Sequence, residues 1–257
     1  MTTAQIRTVS IIIPVYNEEG TIGEILHKVS EAECYGFEKE VVVIDDCSTD
    51  KTKTIIERYM KGREGTSSRT DKGLIRYVKN DKNIGKTQTI KKGISTATGD
   101  IVIIQDGDLE YDPNDYPLLL TPFLEHDADV VYGSRFMGSS AKRILYFWHT
   151  VGNRFLTLLS NICSNLNLSD METGYKVFRG DVIRQIAPAL SSRRFGFEPE
   201  ITARIAKIPE IRIYEVGIQY WGRTYKEGKK IHWFDGALAV AQIIRYNFFT
   251  APVTLHL

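Results

Sequence analysis

The composition is that of an ordinary folded chain without a strong overall charge. The 257 residues are 42% hydrophobic and 25% charged, and the formal net charge is +1. This length allows one large core or two small ones, and the charge gives no general reason to expect nucleic acid as a partner. Cys34, Cys47 and Cys163 are widely spaced and odd in number, so we expect reduced thiols rather than disulfides or a zinc site.

The apolar runs predict neither a secretory leader nor a membrane-spanning helix. The run at 9–15 is short, contains Pro14 and suits a buried strand better than a leader. The longest candidate span, at 236–257, is interrupted by polar residues, among them Arg245.

The first half of the chain alternates short apolar runs with amphipathic stretches. Strands are predicted at 9–15, 40–46, 74–78, 101–104 and 129–132. Helices are predicted between them, and the first carries Ile22, Ile25, Leu26 and Val29 at helical spacing. The polar stretch at 61–73 is interpreted as a surface loop. This alternation favours an α/β fold with a doubly wound, mostly parallel sheet flanked by helices.

The pattern changes after Arg135. A long helix is predicted from an apolar seam with spacings of three and four, which we expect to contact the core or a partner: Ile144, Trp148, Val151, Phe155, Leu158 and Ile162. A return to the sheet at 172–178, a helix at 198–207 and a strand at 210–216 follow. The chain then has a loop at 220–230, rich in cations, glycine and aromatic residues, and a final helix that we expect to be amphipathic.

Two aspartates directly follow the fourth strand. Asp106 and Asp108 are separated only by Gly107, and like charges so close together repel unless a cation lies between them. Carboxylates are the hard ligands that Mg²⁺ and Mn²⁺ prefer, and such ions often bridge a protein carboxylate to a substrate phosphate. Open α/β sheets bind ligands beyond the carboxyl ends of their strands. We therefore expect a metal site here, with Glu110 as a further oxygen ligand.

Other motifs are expected at the same edge. The segment PVYNE (14–18) follows the first strand, and Asp45 and Asp46 end the second. With Asp106 and Asp108, this set resembles the family 2 glycosyltransferases of the GT-A fold. The match extends to QDGDLEYDP (105–113), GSR (133–135), ETGYK (172–176) and the pair Arg223 and Lys229, which look like the dolichyl-phosphate mannose or glucose synthase group. The resemblance covers roughly residues 9–235.

The resemblance implies a role for each matching residue. The nucleoside would be held by Pro14, Tyr16, Glu18, Ile44 and Asp46. The sugar diphosphate would lie on Asp106, Gly107, Asp108, Arg223 and Lys229, the last two from a mobile loop. Asp106, Asp108 and Glu110 would bind the metal, Arg135 and Lys176 the acceptor phosphate, and Asp106, Asp108 and Arg135 would be catalytic.

The implied enzyme is an inverting, metal-dependent transferase. It would move a hexose from a nucleotide-sugar, GDP-mannose as first choice and UDP-glucose as second, to a polyprenyl or dolichyl phosphate at the cytosolic face of a membrane. We expect a GT-A domain over residues 1–230 with an amphipathic extension at 231–257. The protein would be cytoplasmic and peripherally bound to the membrane, with Mg²⁺ or Mn²⁺ as cofactor and no nucleic acid partner.

Several alternatives stay open. The acceptor can instead be a glycan hydroxyl, the chain can be a non-catalytic nucleotide-sugar-binding module, and the final helix can bind a membrane-protein partner. Asp45 and Asp50 also suit helix capping. Lys86 follows Gly85, but Asn80 stands where a phosphate loop would begin with glycine, so we interpret Lys86 as a solvated residue at a helix start.

Overall fold

A computed structural model describes residues 6–63, 74–138, 143, 146–192, 196–223 and 233–255. The strands are β1 (Thr8–Val15), β2 (Glu38–Asp45), β3 (Leu74–Lys79), β4 (Ile101–Ile104), β5 (Val130–Ser134), β6 (Lys176–Arg179) and β7 (Ile213–Gly217). The helices are α1 (Ile22–Glu31), α2 (Thr52–Arg63), α3 (Lys86–Thr96), α4 (Tyr116–Glu125), α5 (Phe147–Ser164), α6 (Gly180–Ile186), α7 (Phe197–Ile205) and α8 (Trp233–Phe248).

The strands form one seven-stranded sheet in the order β3-β2-β1-β4-β6-β5-β7. Only β6 is antiparallel to its neighbours, β4 and β5, so the prediction of a mostly parallel α/β sheet is confirmed. Because β6 runs backwards, its first residue, Lys176, lies at the edge where β4 and β5 end. The segment before β6 therefore reaches the same edge as the segments that follow the parallel strands.

The central strands are buried on both faces, as their β-branched runs predict. Ile11 and Val43 contact a core on the side of α1 and α4, whereas Ile12, Val42 and Val102 contact a second core on the side of α3 and α6. Successive side chains of a strand point to opposite faces, so one apolar run supplies both cores. The predicted buried face of α1 is confirmed.

The predicted seam on α5 faces outward. Trp148, Phe155, Leu158 and Ile162 are 56–76% exposed, and the buried side of the helix consists of Leu156, Thr157 and Ser160. Contact with the core, the first alternative of the expectation, is therefore wrong, and contact with a partner stays a prediction. Ile144, the first residue of the seam, lies outside the described residues.

The last helix, α8, packs against α5 and α7. Ala239, Ile243 and Tyr246 are its buried residues, while Phe248 is 64% exposed. Lys207 anchors its end by donating hydrogen bonds to the carbonyls of Tyr246 (2.8 Å) and Thr250 (2.6 Å). Among the residues described, none of the helices combines the length and hydropathy needed to cross a membrane.

Gly93 allows α3 to approach the sheet closely, so we expect Gly93→Ala to destabilise the protein. A Cβ at this position would lie 2.4 Å from Cγ2 of Ile12. Overpacking of this kind costs about 1–3 kcal/mol. The control is Gly62→Ala in α2, where nothing lies within 4 Å, and where alanine favours the helix by up to about 1 kcal/mol. Urea unfolding of both variants measures the difference, and equal midpoints would contradict the close packing.

Candidate active site

The segments after β1, β2 and β4 meet at one edge of the sheet. The N–H of Asp46 donates to the Val15 carbonyl (2.8 Å), and the N–H of Gln105 donates to the Ile12 carbonyl (2.9 Å). At Gly107 a Cβ would lie 3.1 Å from Cγ1 of Val15. The glycine thus lets the loop after β4 lie close against the end of β1, beside the PVYNE segment.

Asp106 is paired with Lys86, the first residue of α3. The Nζ atom of Lys86 lies 3.0 Å from Asp106 Oδ1 and 3.0 Å from Glu198 Oε1. Burial alone would lower the pKa of Lys86, but the two carboxylates outweigh it and raise that pKa well above its ordinary value. Lys86 is therefore a permanent cation held between two acids, and its interpretation as a solvated residue is wrong.

Asp108 is paired with Arg223, which follows β7. Nη2 of Arg223 lies 2.7 Å from Asp108 Oδ2, and its Nε lies 3.2 Å from Glu110 Oε1. Its Nη1 is also 3.9 Å from Glu18 Oε2. One guanidinium thus lies among three carboxylates and partly neutralises them.

The acidic group still has excess negative charge. Burial, with the nearby charges of Asp106 and Glu110, raises the pKa of Asp108 to about 7, although Arg223 acts in the opposite direction. An additional cation bound here would favour the ionised form of Asp108. Lys86 and Arg223 therefore do not fully neutralise the carboxylates of this site.

Asp46 is engaged inside the protein. Its carboxylate accepts hydrogen bonds from Asn80 Nδ2 (2.9 Å) and from the backbone N–H groups of Ile84 and Gly85 (2.8 Å each). These bonds hold the turn that leads into α3 and so position Lys86. Asp46 is 4% exposed, and its role toward a nucleoside stays a prediction.

Two other acids at this edge, and three residues predicted to contact the nucleoside, occupy different settings. Asp45 accepts hydrogen bonds from Ser48 N (2.7 Å) and Tyr77 OH (2.8 Å), and Asp50 caps α2 at Thr52 N (2.9 Å), as predicted. Among the predicted nucleoside contacts, Ile44 is fully buried and Tyr16 is 41% exposed. Pro14 is half-buried beside them.

Arg135 forms a bidentate pair with Asp170. Its Nε and Nη2 atoms each lie 2.7 Å from an oxygen of that carboxylate, and its backbone N–H donates to Oδ2 (3.0 Å). The guanidinium also lies over the ring of Tyr220, with 5.2 Å to the centroid. Arg135 is thereby fixed in one orientation, with Nη1 outside the carboxylate pair.

Lys176 points into the protein. It is completely buried and donates to the carbonyls of Met171 (3.0 Å) and Thr173. Burial lowers the pKa of this ammonium to about 8, against the raising effect of Glu198 and Glu172. In this structure Lys176 supports the segment before β6, and a contact with acceptor phosphate stays a prediction. Lys229 lies outside the described residues.

Aromatic residues join the loop after β4 to the segment after β7. Tyr111 and Tyr220 form a β-bridge with ring centroids 5.3 Å apart, and Trp221 N donates to the Glu110 carbonyl (2.9 Å). Tyr220 OH donates to Glu110 Oε2 (2.7 Å). Glu110 is therefore bound on both oxygens, which connects Arg223 firmly to the acidic loop.

The donor set fits a divalent ion shared with a substrate. Among the described residues, no three His, Cys, Asp or Glu side chains converge as a complete metal site. Asp106 and Asp108 still offer hard oxygens at the exposed edge, and Mg²⁺ commonly takes one or two carboxylates and completes its shell with phosphate and water. A third contribution from Glu110 stays a prediction.

Sequence reasoning missed several residues of this site. Lys86, Glu198, Asp170 and Tyr220 hold the predicted residues in place, although they come from four separate segments. Their one local signal is proximity to the predicted motifs, since Asp170 precedes ETGYK and Tyr220 precedes Arg223. Nothing in their spacing pairs them with distant partners.

The chain belongs to glycosyl transferase family 2, whose profile matches residues 10–187. Among similar proteins, a dodecaprenyl-phosphate galacturonate synthase of Rhizobium johnstonii is 27% identical over 86% of this chain and 61% of its own length. A dolichol-phosphate mannosyltransferase of Pyrococcus furiosus is 24% identical over 87% of this chain and 60% of its own length. This chain thus spans about 60% of these two relatives. A dolichyl-phosphate beta-glucosyltransferase of Dictyostelium discoideum is 26% identical over 93% of this chain and 73% of its own length. The predicted resemblance to polyprenyl-phosphate transferases is confirmed.

Solved structures confirm the predicted GT-A fold. Glucosyl-3-phosphoglycerate synthase from Mycobacterium tuberculosis, in complex with Mn²⁺, uridine-diphosphate and phosphoglyceric acid, superposes with a TM-score of 0.68 over 95% of this chain and 80% of that one. A complex of the same enzyme with Mg²⁺ and uridine-diphosphate gives 0.65. The identities are 18% and 17%, so this likeness concerns the fold alone.

The raised pKa of Asp108 predicts that Asp108→Asn stabilises the metal-free protein at high pH. The pKa rises from 3.8 to about 7 on folding, so ionisation opposes folding above pH 7, and this cost disappears as the pH falls toward 4. The neutral isostere avoids the cost, which is on the order of 4 kcal/mol at pH 8. Thermal melting in EDTA should show a higher Tm for the variant at pH 8 and a smaller difference at pH 5. A difference that does not change with pH would contradict the assignment.

Proposed function

We propose that the protein transfers a hexose from a nucleotide-sugar to a polyprenyl phosphate. The observation that carries the proposal is the set of opposite charges at one edge of the sheet. Arg223 is paired with Asp108, Lys86 is paired with Asp106, and Arg135 lies over the ring of Tyr220. Carboxylates suit a divalent ion, and guanidinium groups suit phosphates. A donor diphosphate and an acceptor phosphate require both kinds of group. The names of the relatives support the same reaction class.

On the donor side, the nucleoside lies over β1 and β2 and the diphosphate lies at the end of β4. Asp106 and Asp108 hold Mg²⁺ or Mn²⁺, which supplies positive charge where the leaving diphosphate accumulates negative charge. Arg223 contacts the same diphosphate. Lys86, which is also paired with Glu198, holds Asp106 in its orientation.

On the acceptor side, the phosphate needs no general base. A phosphate monoester has a second pKa of about 6 and is mostly a dianion at neutral pH. Its oxygen attacks the anomeric carbon while the bond from that carbon to the diphosphate breaks, and the electron pair leaves with the diphosphate. This single displacement inverts the anomeric centre. Arg135, kept in place by Asp170, orients the attacking phosphate.

GDP-mannose is the first candidate donor and UDP-glucose the second. The named relatives use mannose, glucose and galacturonate, so they support a hexose class rather than one sugar. Separately, the crystallised glucosyl-3-phosphoglycerate synthase was solved with UDP and Mn²⁺.

The reaction can be tested directly. The protein is incubated with Mn²⁺, a polyprenyl phosphate and a panel of nucleotide-sugars, and the glycolipid is identified by its mass. We expect one donor to give product, and we expect Asp108→Asn to lower the rate by at least about 100-fold because a charged ligand of the ion is lost. Asp181→Asn, at an exposed position of α6, is the control.

Other outcomes would replace the proposal. Transfer to a simple alcohol but not to the lipid phosphate would favour the hydroxyl-acceptor alternative. Binding of a nucleotide-sugar without any turnover would favour a binding module. Near-normal turnover by Asp108→Asn would contradict the metal assignment.

The same proposal places the exposed faces of α5 and α8 on a membrane surface. Phe147 and Trp148 at the start of α5 are 69% and 76% exposed, and Phe249 beyond α8 is 78% exposed. Exposed apolar patches of this kind suit the boundary between headgroups and acyl chains. The start of α5 is close to the site because Arg143, just before α5, donates to the Gly222 carbonyl (3.2 Å) beside Arg223. Docking would therefore bring the site to a lipid phosphate.

Liposome sedimentation tests this placement. We expect Trp148→Ser with Phe155→Ser to reduce binding to anionic liposomes by at least about tenfold, because each side chain buries enough area for 1.5–3 kcal/mol or so. The control is Leu118→Ser on α4, which is also exposed (51%) but belongs to another helix. Equal losses in both variants, or none in either, would contradict a specific membrane face.

A further inference from the structure

Two neighbouring polar side chains in the segment before β6 each have a buried oxygen without a hydrogen-bond partner. Within the described part of the chain, the buried side-chain atoms without a partner are Glu40 Oε1, Glu172 Oε1 and Thr173 Oγ1. The Glu40 oxygen has an explanation, since it lies 3.3 Å from Nη1 of Arg76 in an ion pair. Glu172 and Thr173 have none, although buried polar groups are almost always hydrogen-bonded.

The backbone that carries these two side chains is held in place by hydrogen bonds. Lys176 donates to the carbonyls of Met171 and Thr173, and the N–H of Gly174 donates to Tyr111 OH (2.7 Å). A Cβ on Gly174 would lie 2.4 Å from Asp106 Oδ2, so this segment packs directly against the acidic loop. The backbone that carries the unpaired groups is thus fixed next to the acidic loop.

The order of the strands indicates which part of a donor would reach them. This step rests on the proposed function. The predicted nucleoside contacts lie at β2 and β1, and the two aspartates lie at the end of β4. The next strand along the edge is β6, and Glu172 and Thr173 lie in the segment that leads into it. In a nucleotide-sugar the hexose follows the diphosphate, so it falls at β6.

We propose that Glu172 and Thr173 form the hexose subsite of the donor. The Glu172 carboxylate accepts hydrogen bonds from ring hydroxyls, and the Thr173 hydroxyl exchanges a hydrogen bond with the same ring. Both groups are unpaired in the free protein because their partners belong to the substrate. The surroundings of Glu172 hold two acids, Glu198 and Asp170, and two cations, Lys176 and Arg135. The Glu172 carboxylate is therefore an additional acid that disfavours the carboxylate of a uronate, so the subsite selects neutral hexoses.

Calorimetric titration in Mn²⁺ separates the hexose from the rest of the donor. The probes are UDP against UDP-glucose, GDP against GDP-mannose, and UDP-glucuronate. We expect Glu172→Gln to keep the affinity for the nucleoside diphosphate within about twofold and to lower the affinity for the matching nucleotide-sugar about tenfold or more. The wild type should bind UDP-glucuronate more weakly than UDP-glucose, and Glu172→Gln should narrow that gap.

Thr173 offers a matched pair of variants. Thr173→Val removes the hydroxyl at nearly constant shape and should weaken nucleotide-sugar binding severalfold, while Thr173→Ser should bind like the wild type. Neither Glu172→Gln nor Thr173→Val should lower the Tm of the free protein, because Glu172 Oε1 and Thr173 Oγ1 have no hydrogen-bond partner there. A lower Tm with unchanged hexose affinity would show a purely structural role.

Three other outcomes would overturn this proposal, and they separate its failure from a failure of the proposed function. Unchanged affinity for both members of a probe pair in Glu172→Gln would overturn the hexose subsite and leave the proposed function intact. A loss of turnover by several orders of magnitude with unchanged donor affinity would instead make Glu172 a general base, which also overturns the subsite. If the wild type binds neither UDP nor GDP, the proposed function fails, and this proposal fails with it.

Discussion

The site depends on neutralising two carboxylates that are one residue apart in the chain. Asp106 and Asp108 follow β4 directly, and the protein supplies a separate cation for each of them. Lys86 comes from the start of α3, and Arg223 comes from the segment after β7. Much of the surrounding structure positions these two cations, from Asp46 beneath the turn before α3 to Tyr220 on Glu110.

The antiparallel strand β6 brings a further segment of the chain, the one that precedes it, to the site. Parallel strands contribute the segments that follow them, whereas β6 contributes the segment that precedes it, so residues 169–175 lie beside the loop after β4. Within this segment Asp170 orients Arg135 and the buried ammonium of Lys176 holds the backbone. The loop after β4 and the segment before β6 thus reach the same edge of the sheet from opposite chain directions.

Part of the fold and of the candidate site could be predicted from the sequence, and the rest could not, for physical reasons. The β-branched runs of β1, β2 and β4 specify strands buried on both faces, and the edge where ligands bind follows from that topology. The periodicity of α5 identified an apolar face correctly but could not show whether protein covers it, because the same spacing suits a core and an exposed interface. Lys86 was misjudged because its partners are 20 and 112 residues away, and local spacing carries no information about such pairs.

The bridge between Tyr111 and Tyr220 has a consequence for the evolution of this architecture. Through it, the positions 110, 220 and 223 act as one mechanical unit, since a change in any of them alters how the arginine reaches the acidic loop. Substitutions at these three positions should therefore be accepted together rather than singly as the family diverges. A lineage that lost the aromatic bridge would need another way to keep a cation beside Asp108.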